Sequence, residues 1–117
     1  GAQAQSAHIG PTSGLRNVPG YSRSGADTIL LDPATHKAFD DYWKNWAINR
    51  RRAGATQCTA AELYEVMVKA VDQTPGLPQQ TKDAMAFRLH KELFSDLNLQ
   101  PGQLIDLPYR NIPPVVP

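Results

Sequence analysis

The 117-residue sequence predicts an α+β domain, mostly helical: a small β-hairpin plus helix at the front, then two further helices and an extended, proline-rich tail. Three observations carry that prediction. Helical hydrophobic periodicity recurs in three segments, two of them opened by recognisable capping chemistry. Two short β-prone runs, one around Ala7-His8-Ile9 and one in "DTILL", flank a turn-rich stretch. Five of the ten prolines fall after residue 99, which bars helix from the tail.

Residues 1–6 read as a linker, 7–50 as the hairpin-plus-helix core, 59–98 as a helical elaboration and 99–117 as the tail, all within one domain. Residues 1–26 hold five of the eight glycines, so no helix is expected there. In "LDPATHKAFDDYWKNWAINRRR", Asp32 can cap the first free N–H groups and Pro33 suits the first helical position, predicting a helix from about Pro33 to Arg50. Phe39, Tyr42, Trp43, Trp46 and Ala47 share one face of it and are expected to pack as core.

"AGATQ" interrupts the pattern, and "TAAE" then offers a capping box from Thr59 and Glu62. The helix it opens runs to about Asp72, with Leu63, Val66, Met67, Ala70 and Val71 as its stripe. A third helix is expected over about Pro78 to Asn98, burying Ala86, Leu89, Leu93 and Leu97, with Phe87 and Phe94 widening the face. Within the tail, "QLIDL" is a short strand candidate.

Composition narrows the function classes. A formal net charge of +1 gives no overall field for a polyanion, so any basic surface must be local. The single cysteine, Cys58, excludes an internal disulfide and a cysteine zinc cage. No apolar run approaches the roughly 20 residues that span a bilayer, so no membrane partner is expected. The serines sit in no nucleophile-elbow or phosphate-loop pattern. The first residue is Gly rather than Met, and the chain is expected to be part of a larger protein.

Three histidines remain. His90 lies inside the third helical segment, where a packing role is expected. His8 stands at the end of the first strand. His36 lies in the first turn of the aromatic helix with Asp40 one turn later on the same face, where the pair can share a divalent ion or the carboxylate can fix the imidazole tautomer.

The order of parts in "AHIGPTS" and "GADTILLDPATHKAFDDYW" resembles the ββα-metal nucleases, the HNH and endonuclease VII superfamily, and especially the compact toxin domains of bacterial secreted effectors. The resemblance covers about residues 6 to 46. It implies hydrolysis of phosphodiester bonds in nucleic acid, DNA favoured over RNA, with a divalent metal (Mg, Mn, Ni or Zn) as cofactor. His8 would be the general base and His36 a metal ligand, with Asp27 or Asp40 supplying carboxylate oxygen.

Two departures stand out: Ala7 occupies the position where the resemblance expects a ligating His, and Asp27 stands where Asn is usual. The loss at Ala7 implies a form with reduced or no activity. The family further implies a cognate immunity protein, an N-terminal effector region beyond this chain, and delivery by secretion into a target-cell cytoplasm. Arg16, Arg23, Lys37, Arg50 and Arg51 are the candidate nucleic-acid contacts. The alternative is a non-catalytic helical interaction or delivery module in which both histidines are incidental.

Overall fold

The computed structural model describes residues 3–109. It is α+β. Strand β1 (Gln5–His8) pairs antiparallel with β2 (Thr28–Leu31) in the register Gln5 to Leu31 and His8 to Thr28. The connection between them contains a one-turn helix, α1 (Thr12–Leu15), where no helix was expected. Leu15 makes that turn worthwhile: it is fully buried, so the apolar core overrides the glycine-rich composition.

Helix α2 (Pro33–Arg52) starts as the sequence requires, with the Asp32 carboxylate accepting from the Thr35 amide at 3.0 Å and Pro33 in the first turn. Its core stripe is narrower than the sequence pattern: Phe39, Trp43 and Ala47 are buried, whereas Tyr42 is exposed and Trp46 half-buried. Residues at i, i+4 and i+8 drift little around a helix, so this one seam meets the core and the other aromatics fall on its flank.

Helix α3 (Ala60–Gln73) opens with the expected capping box, Thr59 and Glu62 exchanging hydrogen bonds reciprocally. It is preceded by β3 (Gln57–Thr59), which pairs antiparallel with β4 (Leu104–Asp106), so the "QLIDL" segment does form a strand. Two separate two-stranded sheets therefore flank the helices.

The third helical segment departs most from expectation. Helix α4 (Gln79–His90) passes into a π-helical stretch, Lys91–Asp96, in which the Leu97 amide bonds the Glu92 carbonyl five residues back. Met85, Leu89 and Leu93 form the buried stripe. Phe87, two residues from Met85 and hence on the far side of the helix, is 72% exposed. The wider turn brings Glu92 inward beside Leu93, and Glu92 is only 5% exposed. No described helix is long and apolar enough to cross a membrane.

The tail residues 99–109 run back over the domain, burying Leu99, Ile105 and Leu107. The remainder of the predicted tail lies outside the described residues.

Candidate functional site at the hairpin and the start of helix α2

Strand alternation decides which side chains of β1 meet α2. Gln5 and Ala7 share one face, Ser6 and His8 the other. The Gln5 carboxamide oxygen lies 2.9 Å from Nδ1 of His36. The other ring nitrogen, Nε2, lies 3.1 Å from Oδ2 of Asp40. Asp40 is itself oriented, because its Oδ1 accepts from the indole N–H of buried Trp43 at 3.1 Å. A core residue thus holds the carboxylate that holds the imidazole.

This trio borders a hollow of about 320 Å³ on one flank of α2, shared with Lys37 and Lys44. Lys37 pairs with Asp41 one turn on. Ala7 lies on the same strand face as Gln5 and is 1% exposed, so a larger side chain there must displace packed neighbours.

His8 stands at the other end of the strand and on its other face, three residues and about 10 Å along it from Gln5, so the structure does not bring it beside His36. It is half-buried and its Nδ1 has no hydrogen-bond partner. Burial, and secondarily the Arg23 guanidinium, lower its pKa below the ordinary histidine value. Both causes favour the neutral imidazole, the form that can accept a proton. Arg23 is exposed in the loop, as is Arg16 at the end of α1.

Of the residues proposed from sequence as metal ligands, the structure brings His36 and Asp40 together and sets Asp27 elsewhere. The Asp27 carboxylate faces helix α4, 3.8 Å from Nε of Arg88, and its amide donates to Oε2 of Glu92 at 3.0 Å. Among the described residues, no group of three or more His, Cys, Asp or Glu side chains converges as a metal cage. His36 with Asp40 is a two-donor set on an open flank. That falls short of the three protein ligands of a catalytic zinc site.

Two of the arginines proposed to touch nucleic acid serve the fold. Arg50 pairs with Glu62 at 2.7 Å and lies over the Trp46 ring. Arg51 donates to the backbone carbonyls of Leu107 and Tyr109, tying the tail to α2. Their consecutive positions in sequence place them on different sides of the helix, each against a partner that only the tertiary structure supplies.

Sequence reasoning missed two residues. Gln5, placed in the linker, orients His36. Glu92, inside an apparently regular helix, packs under the hairpin's connected end: its Oε1 is buried without a partner and would lie 2.6 Å from a Cβ at Gly10. Neither carries a local motif. His90 makes edge contact with Tyr64 and packs on Phe94, as a structural histidine does. No protein-family model, curated protein or solved structure matches the chain.

Proposed function

We propose that this domain is a metal-dependent nuclease of the ββα type, acting on phosphodiester bonds and attenuated by Ala7. The observation that supports it best is the topology: a histidine-bearing strand, an antiparallel second strand, and directly after it a helix whose first turns carry an oriented His36–Asp40 pair.

In this reading neutral His8 takes a proton from the attacking water, and Arg23 draws the phosphate toward that end of the hairpin. Gln5, at Nδ1, sets the ring orientation of His36. A divalent ion would be held by Nε2 of His36 and Oδ2 of Asp40 in place of the contact they make with each other, and would supply electrostatic stabilisation of the charge that grows on the phosphate. Lys44 lines the same hollow, where Lys37 is already paired with Asp41. DNA is the favoured substrate. A delivered effector with a dedicated immunity protein is the setting that this activity implies.

The test is nicking of supercoiled plasmid with Mg²⁺, Mn²⁺, Ni²⁺ or Zn²⁺, with and without chelator, for the chain as it stands, His8→Ala, Asp40→Asn and Ala7→His. Metal-dependent nicking by the chain or by Ala7→His, abolished when His8→Ala is introduced into the active form, is the expected result. Nicking insensitive to chelator and to His8→Ala, or none from either form with any of these metals, overturns the reading.

A further inference from the structure

Among the described residues Glu92 is the one acidic side chain buried in the core, and the nuclease reading does not use it. Its two carboxyl oxygens have different surroundings. Oε2 accepts the Asp27 amide at 3.0 Å, whereas Oε1 is buried with no partner. Oε1 lies against Gly10, and Leu15 and Leu89 close the same spot with methyl groups. A neutral carboxyl fits there, with one oxygen accepting. An ionised one leaves half of its charge against hydrocarbon, with neither water nor a donor.

The charges around it do not compensate. From the start of β2 comes Asp27, which the fold has turned away from the His36–Asp40 pair, and from the π-helical stretch comes Asp96. The two cations on the same rod are engaged elsewhere: Arg88 with the Thr28 carbonyl and Asp27, Lys91 with Asp96 at 3.0 Å. The connection between the strands adds Tyr21, whose hydroxyl is bonded to Thr12, and α1 adds only Leu15. Burial chiefly, then the Asp27 and Asp96 charges, hold the Glu92 pKa up, against the Asp27 hydrogen bond and Arg88.

Beside this carboxyl is a way out. A cleft of about 150 Å³ separates the π-helical stretch from the loop at residues 20–27, and Gly20, Tyr21, Ser22, Asp27, Glu92 and Asp96 line it. That loop is weakly held. Residues 22–25 are exposed, and the backbone bonds of the loop are the turn bonds from Tyr21 to Val18 and from Gly25 to Ser22, besides the Asp27 carbonyl accepting from Ile9. Helix α1 is tied separately to the tail side, through Asn17 to Asp106 and Ser13 to Tyr109. The loop can therefore open while α1 and the helices stay in place.

We propose that Glu92 is a proton-controlled latch: neutral, it clasps the 20–27 loop through the Asp27 amide; ionised, it turns into the cleft toward water and lets that loop open as a unit. Arg23 rides on the loop, so the latch sets how firmly this arginine is placed. The latch does not depend on the nuclease reading.

The experiment follows amide hydrogen exchange of the full chain by NMR between pH 4 and pH 8, corrected for the intrinsic rate, together with a carbon-13 titration of the Glu92 carboxyl. Protection of the Asp27 and Ile9 amides is expected to be full below the ordinary carboxylate value. It then falls by up to about tenfold per pH unit and levels off past the folded-state midpoint, which the carboxyl titration reads directly above the ordinary value. Arg16, Ala60 and Leu107, bonded outside the loop, are expected to keep their protection. The His8 titration cannot produce this fall, because a lowered histidine pKa makes protection rise with pH. Glu92→Gln, which keeps an acceptor for the Asp27 amide, is expected to remove the fall. Asp27→Asn is expected to make it level off at lower pH. A Glu92 midpoint at or below the ordinary value, a fall that persists in Glu92→Gln, or a parallel fall at Arg16, Ala60 and Leu107 overturns the proposal.

Discussion

Glu92 accepts the amide N–H of Asp27 at 3.0 Å across 65 positions of sequence, and so fastens the π-helical stretch to the start of β2. The same helical rod adds a second tie, Arg88 donating to the Thr28 carbonyl at 2.8 Å. Since Thr28 pairs with His8, the back of the domain sets the position of the hairpin's connected end.

Glu92 is held above the ordinary carboxylate pKa, chiefly by burial, although the Asp27 hydrogen bond works the other way. An acid with a raised folded-state pKa contributes stability that is full below its unfolded value and lost as pH rises through the folded one. Glu92→Gln is therefore expected to raise the melting temperature relative to the parent at about pH 8 and to lose that advantage at about pH 4. Glu92→Ala, which leaves the Asp27 amide without its acceptor, is expected to cost about 1–3 kcal/mol at the lower pH, measured by urea unfolding.

His8 is expected to titrate below the ordinary histidine midpoint in a proton NMR titration. Arg23→Ala moves that midpoint upward only part of the way, because burial is the larger cause. The lowered pKa makes the folded state favour neutral His8. Its contribution to stability is complete above the unfolded value and disappears as pH falls through the folded one, and any His8-dependent hydrolysis declines over the same limb.

Arg51→Lys keeps the charge and loses the planar fork that reaches several tail carbonyls. It is expected to destabilise the domain by about 1–2 kcal/mol and to speed amide exchange at residues 104–107. Nucleic-acid binding, measured at constant folded fraction, is expected to fall with Arg23→Ala and to stay unchanged with Arg51→Lys.

Cys58 is 2% exposed, and burial, aided by nearby Glu62, pushes its thiol up to about 12. In the native state it is expected to resist a thiol reagent at pH values where free cysteine reacts within minutes, and to react stoichiometrically once denaturant is added.

What the sequence determined by itself was local. Asp32 before Pro33, Thr59 before Glu62, and His36 one turn before Asp40 each act within four residues, so the backbone geometry of one helical turn already brings the partners together. The hairpin and the mostly helical α+β class followed from periodicity in the same way. The tertiary structure decided everything that depends on which faces meet. It joined Gln5 to His36, turned Asp27 toward Arg88 and Glu92, committed Arg50 and Arg51 to Glu62 and the tail, and left Tyr42 and Trp46 lining a groove. A long-range contact carries no periodic trace in sequence. It forms because burying one seam of each helix fixes where the remaining side chains point, and a single π-helical turn is enough to bring a carboxylate such as Glu92 from the expected surface into the core.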